Sequence, residues 1–178
     1  MWNVDGSSWT TARNGLNIGR TNGGSVYRAY MSFDLSGFDN TKIVNSATLS
    51  LKRMDSYGNI NWVITATSSV PNRTFAYNSY TDVISSNFAS GNREEKTVTI
   101  SASLINKYKG GTMYVCFIGH PSYSYSYGEL DNVNYTPTLA IDYTIATSTM
   151  TASGNTIGSA VTLSITRHSS SFTHTITY

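Results

Sequence analysis

The chain has one cysteine, three prolines, three glutamates and no glutamine in 178 residues, and charged side chains make up only 12% of it. A single cysteine excludes an internal disulfide. Cys116 lies within the apolar run MYVCFI, which favours an inert buried thiol over a nucleophile. No stretch approaches the roughly 18 apolar residues a membrane-spanning helix requires, so no membrane insertion is expected. The net charge is +2 and Lys52-Arg53 is the only adjacent basic pair, which gives no electrostatic case for nucleic acid. The opening segment WNVDGSSWTT has neither a basic start nor an apolar core, so no signal peptide is expected there. A polar, extracellular type of surface with neither signal nor disulfide points to release by another route, such as viral lysis of a cell or processing.

Catalysis also lacks its usual signs. Glycoside hydrolysis needs two positioned carboxyl groups. Here Glu94-Glu95 sits in a charged turn and the remaining acids are dispersed. His120, His168 and His174 show no metal-ligand spacing, and no nucleophile elbow is visible. Neither an enzyme nor a cofactor is expected. Two Asn-x-Thr sequons, at Asn72 and Asn134, have meaning only in eukaryotic secretion.

Short hydrogen-bonding side chains are abundant. Ser, Thr and Asn exceed a third of the chain, and 13 residues are Tyr. Thr and Tyr suit a pleated surface, and Asn and Ser suit turns. Residues 26–52 show two alternating runs around a polar turn. Tyr27, Ala29, Met31, Phe33 and Leu35 share one face, with Arg28, Tyr30, Ser32 and Asp34 opposite. On the return, Ile43, Ala47, Leu49 and Leu51 share a face. A period of two predicts half-buried antiparallel strands. Further strands are expected at Ile60–Ala66, around Val98 and Ile100, at Met113–Ile118, and through Leu139, Ile141 and Tyr143. Trp62 alternates with Ile60 and Ile64, which favours a core role. Met113–Ile118 is apolar on both faces and reads as a central strand. Residues 68–95 read as a long polar excursion with a turn of helix near Tyr80–Ser86. Residues 101–109 predict a short helix capped by Ser101 or Ser103. The expected fold is all-β, an antiparallel jelly-roll sandwich with one short helix and a small C-terminal β-hairpin unit. A boundary is expected near Ile145. It separates a domain at 1–144 from a partial β unit at 145–178, which contains a Gly154-Asn155 turn and reads as the stump of a second domain.

Tyr123, Tyr125 and Tyr127 alternate with Ser122, Ser124 and Ser126 between Pro121 and Gly128. In an extended segment all three Tyr project to one side. Such a row offers flat contact area and hydroxyl groups at low entropy cost, either for a ligand or as cover for the fold. Trp2 and Trp9 stand in a polar segment without apolar neighbours. They read as stacking platforms for a sugar ring, or as packing over a sheet edge or subunit interface. Tyr57, beside Gly58, would extend such a surface.

Tyr27-Arg28, Phe33-Asp34-Leu35-Ser36 and Ile43…Ser46-Ala47-Thr48-Leu49 resemble the signature of DNRLRE-type jelly-roll modules, also described as disaggregatase-related carbohydrate-binding modules. Pro137, Leu139, Ile141 and Tyr143 resemble the closing strand of that family. The resemblance covers residues 1 to about 144. It implies a two-sheet jelly roll and polysaccharide binding, with Arg28 as part of the fold signature, paired with Asp34 or capping a loop carbonyl. Asp5 and Asp131 are loop carboxylates of the kind that help hold calcium in such jelly rolls, but no loop gathers several, and no metal site is expected. Separately, Ile165-Thr166-Arg167, Ser171-Phe172-Thr173-His174 and Thr175-Ile176-Thr177-Tyr178 resemble the start of repeated β-domains in tail proteins of siphophages of Gram-positive bacteria. Together the two resemblances imply a homo-oligomeric tail-fibre or receptor-binding protein of the virion tail, partnered by other tail subunits and by host cell-surface polysaccharide. The alternatives are a structural spacer or trimerisation element of the fibre, or the carbohydrate-binding module of a secreted bacterial enzyme.

Overall fold

The computed structural model describes residues 2–4, 9–11, 15–54, 60–132, 134–153 and 162–177, with side chains described for 15–54, 60–132, 134–147 and Ile176. The strands are β1 (Trp2–Val4), β2 (Trp9–Thr11), β3 (Leu16–Arg20), β4 (Val26–Asp34), β5 (Lys42–Lys52), β6 (Ile60–Thr67), β7 (Asp82–Ser90), β8 (Glu95–Ile100), β9 (Thr112–Gly119), β10 (Gly128–Leu130), β11 (Thr138–Ser153) and β12 (Thr162–Thr177). A helix, α1 (Ala102–Tyr108), joins β8 to β9. One sheet runs β10-β3-β4-β9-β6-β7, with β1 and β2 attached at β4, and the other runs β12-β11-β5-β8. All pairings are antiparallel. The fold is an all-β sandwich of two antiparallel sheets with a single helix among the described residues.

Alternation builds the core. Ala29, Met31 and Phe33 of β4 face Ala47, Leu49 and Leu51 of β5, and all are buried with Trp62, Phe117, Leu139 and Ile141 in one cluster. Ile43, expected on that inner face, is instead 52% exposed, and its neighbour Val44 is buried. The cause is a β-bulge: β5 pairs Ser46 with Asp142 but Val44 with Tyr143, so Asn45 is skipped and the side-chain parity inverts. Ser101 caps α1, its Oγ accepting from Leu104 N at 3.2 Å, and the helix buries Ile105 and Tyr108.

The larger sheet is buried on its outer face too. Tyr30, Val63, Cys116 and Ile118 form a second cluster with Phe75, which is delivered by the loop at 68–81. That loop is held by its own bonds. Thr74 N and Oγ1 both donate to Asn72 Oδ1 at 3.0 Å, Asn72 N donates to the Tyr80 hydroxyl at 3.0 Å, and Ala76 N donates to Ser79 Oγ at 2.7 Å. The cover explains why β9 is apolar on both faces.

The helical turn expected near Tyr80–Ser86 is not formed, because Asp82–Ser90 is the edge strand β7. Only Phe88 and Ser90 of it are buried, and its pairing with β6 shifts register twice. A strand so exposed has little apolar alternation to betray it. The boundary expected near Ile145 falls inside β11, which pairs with β12 from Thr138 to Ser153. The first half of β11 also pairs with β5, as far as Ile145 opposite Lys42. In the C-terminal unit Thr162–Thr177 is one continuous strand, β12, while the expected Gly154-Asn155 turn lies outside the described residues.

Candidate functional site

A cleft of about 220 Å³ opens on the outer face of the larger sheet, where β3 ends, β4 begins and β9 ends. Its polar and aromatic wall is Arg20, Arg28, Tyr77, His120 and Tyr123, over a floor that includes Ile118. Antiparallel register sets Arg28 directly opposite Ile118, on the same face as Tyr30. Ala76 and Tyr77 reach the rim as the continuation of the loop that seats Phe75.

Each charged or aromatic group has a local cause for its position. Arg28 Nε donates to the Phe75 carbonyl at 2.7 Å, the loop-capping role expected of it. Burial pulls the Arg28 guanidinium below its usual value, and among the described residues no acidic neighbour offsets that. His120 follows β9 and is anchored by its N–H to the Asn61 carbonyl at 2.9 Å. Its Nδ1 accepts from Ser122 N at 3.2 Å, which assigns the proton of the neutral ring to Nε2. The Tyr123 ring stands edge-on to His120 at 5.3 Å, and its N–H donates to the His120 carbonyl at 3.2 Å. Tyr77 is 46% exposed and Tyr123 39%, so both rings present open faces.

Arg20 is fixed by Ser126. Arg20 N donates to Ser126 Oγ at 3.1 Å, and Ser126 N donates back to the Arg20 carbonyl at 3.0 Å. The Ser126 carbonyl accepts from Trp62 Nε1 at 2.9 Å, which ties the 120–127 loop to the core. This close approach requires two glycines. A Cβ on Gly19 would overlap the Ser126 carbonyl, and one on Gly119 would overlap Ser126 Oγ and stand 2.9 Å from Gly19 Cα. Gly19 also has φ +106, a region L side chains avoid.

The Tyr-Ser run therefore does not form an extended row. Residues 120–127 turn and bend, Ser126 is buried at 1% exposure, and the three Tyr take separate environments. Tyr123 joins the cleft. Tyr125 is half-buried and does not line it. Tyr127 packs edge-on against Tyr27 at 5.4 Å, and its hydroxyl lies 2.6 Å from Asn17 Oδ1 and 3.1 Å from Glu129 Oε1, a structural set of contacts. Trp62, expected in the core, is fully buried. Trp2 and Trp9 lie in β1 and β2, but their side chains are outside the described residues, as are Tyr57 and Asp5.

Arg20, Tyr77 and His120 were not singled out by sequence. For two of them a signal exists. Gly19-Arg20 and Gly119-His120 both set a glycine before a nitrogen-bearing side chain at a strand end, and the two glycines meet. Tyr77 has no such signal, since its place follows from how the 68–81 loop folds.

Asp131 is buried, and among the described residues no group of three or more His, Cys, Asp or Glu is placed to hold a metal ion. No helix of the structure is long and apolar enough to cross a membrane. No protein-family model and no curated protein matches this chain.

Proposed function

We propose that this chain is a non-enzymatic binding domain of a phage tail fibre or receptor-binding protein, and that it takes host cell-surface polysaccharide in the cleft between Tyr77 and Tyr123. The carrying observation is the pair of exposed tyrosine rings on a shallow, arginine-bearing cleft. Rings that expose an apolar face and a hydroxyl suit a sugar, which has C–H faces and equatorial hydroxyls. Binding without chemistry is supported by the lining, which contains no carboxylate among the described residues, whereas glycoside hydrolysis uses two. The tail assignment rests on the family resemblance in residues 165–178, and the resemblance in residues 26–52 adds the polysaccharide. In this reading the protein acts at the virion tail, outside the host cell.

Both rings are exposed, so Tyr77→Ala and Tyr123→Ala should leave the melting temperature within a few degrees. Each should weaken binding to host cell wall by about 1–2 kcal/mol, roughly 5- to 30-fold. Biolayer interferometry on purified cell wall measures this. Unchanged affinity in the double variant sinks the assignment of this cleft.

One observation favours a structural spacer as a second reading. Beyond Ile145, β11 pairs among the described strands only with β12, from Ala146 opposite Ser169 to Ser153 opposite Thr162. A two-stranded ribbon is marginal in water by itself and gains from a subunit partner. Under that reading, alanine at Tyr123, Tyr125 and Tyr127 alters oligomer mass by light scattering and leaves adsorption unchanged.

A further inference from the structure

We infer that the cleft selects an anionic glycan, one whose carboxylate or phosphate oxygens are held by Arg28 and Arg20 while a sugar ring lies against Tyr77 or Tyr123. The inference rests on the proposed glycan role of the same cleft and adds the charge of the ligand.

The argument is an imbalance of charge in a chain that has little charge. Two of its twelve Lys and Arg residues line this one cleft, together with one of its three His. None of its ten acidic residues does so among those described. Elsewhere two of the described cations have counter-charges. Lys107 pairs with Asp82 at 2.7 Å, and Lys42 approaches Asp39 at 3.9 Å. Among the described residues Arg28 has no such partner, although it is half-buried and partly stripped of water. A desolvated cation without a counter-charge is costly, and a ligand anion removes that cost.

Geometry adds a preference for flat or tetrahedral oxyanions. The Phe75 carbonyl takes Arg28 Nε, which orients the guanidinium and leaves its two Nη groups, the end-on fork, for a ligand. Arg20 is exposed, but its backbone is clamped on both sides by Ser126. His120 contributes an Nε2–H donor beside Tyr123. A cleft of this size accepts one charged sugar unit, with the chain continuing over the rim. Uronates and glycerol-phosphate polymers share this chemistry.

The test uses the intact chain and three polymers: polygalacturonate, the same polymer after carboxyl reduction, and poly(glycerol phosphate). Affinities are read by biolayer interferometry at several salt concentrations. At least one anionic polymer should bind ten-fold or more tighter than the reduced polymer, and its affinity should fall with salt. Which anionic polymer binds identifies carboxylate or phosphate as the source. Arg28→Gln and, separately, Arg20→Gln should each lose at least five-fold on that polymer. Arg20→Gln is at an exposed position, so a folding failure of Arg28→Gln leaves the test intact. Arg28→Lys keeps the charge but not the fork, and should fall between wild type and Arg28→Gln. If the reduced polymer binds as tightly as both anionic ones and the arginine variants are unaffected, anion selection is overturned while the glycan role stands. If none of the three polymers binds, anion selection is overturned, and the glycan role stands or falls with the cell-wall measurement on the Tyr77 and Tyr123 variants.

Discussion

Gly19→Ala is the sharpest perturbation the structure offers, because two costs fall on one added methyl. The first is conformational. Gly19 sits at φ +106, and holding a non-glycine residue in so sparsely populated a region costs about 1–3 kcal/mol. The second is steric. The new Cβ would overlap the Ser126 carbonyl oxygen and stand 2.6 Å from its carbon and 3.0 Å from Tyr127 Cα. All three are backbone atoms, so no flexible side chain can swing aside, and the 120–127 loop must move. Forcing an extra methyl into a packed site costs about 1–3 kcal/mol. The sum, roughly 2–6 kcal/mol, is a large fraction of the about 5–15 kcal/mol that typically holds a domain. For a chain of this size it corresponds to a melting temperature lower by on the order of 5–20 °C. Urea unfolding followed by Trp fluorescence supplies the free energy and calorimetry the midpoint. Loop movement would also release Ser126 from Arg20 and Trp62, so Trp62 emission should shift even in the native baseline. A variant within about 0.5 kcal/mol of wild type, with unchanged emission, would refute the proposed locking of Gly19 against Ser126.

Two further outcomes follow from other sites. Cys116 is fully buried and burial pushes its thiol up to about 12, so a disulfide reagent at pH 8 should leave it unlabelled in the native protein and titrate one thiol after unfolding; rapid native labelling would contradict the covered outer face. At Asp82, burial raises the carboxyl, but hydrogen bonds from Lys107 and Tyr108 outweigh it and hold the group below its ordinary value. A depressed folded pKa gives stability that is present above the unfolded value of about 3.9 and is lost as pH falls through the folded one. Asp82→Asn should therefore cost roughly 1–2 kcal/mol at pH 7, discounted for the exposed lysine, and the gap from wild type should close below about pH 4. A gap independent of pH would show that shape rather than charge matters at that position.

The strands that face the core were legible, because burial on one side writes a period of two into the sequence. β4, β6 and the first half of β11 follow it closely, whereas β9 was legible as an apolar run buried on both faces. Ile43 and Val44 exchange roles because a bulge is an insertion of one residue in the ladder, and alternation by itself carries no sign of where such an insertion falls. β7 was illegible for a different reason. It is an edge strand in which Val83 is 51% exposed, and its polar Ser and Asn residues read as loop. In the Tyr-Ser run the residue type drew attention to the rings, yet Ser126 is the member that the fold uses as an anchor. A hydroxyl that accepts one backbone N–H and sits in a loop fastened by its own backbone looks in sequence like any other loop serine.

The cleft follows from a burial problem on the opposite side of the larger sheet from the main core. β9, at the centre of that sheet, and its neighbour β6 carry apolar residues on both faces, so the outer set of Val63, Cys116 and Ile118 needs cover that the second sheet cannot give. The 68–81 loop supplies it by seating Phe75. Once Phe75 is seated, its carbonyl must find a donor, and Arg28 on the same face is the one that meets it. The next residues, Ala76 and Tyr77, then emerge at the rim beside Ile118. Covering the outer apolar patch thus orients the arginine fork and brings one aromatic wall into place. The opposite wall arises independently, from the Gly19–Ser126–Gly119 approach that holds Arg20 and the 120–127 loop. Two separate packing requirements converge on one cleft, which is why its members are scattered over the sequence from Arg20 to Tyr123 and share no local motif.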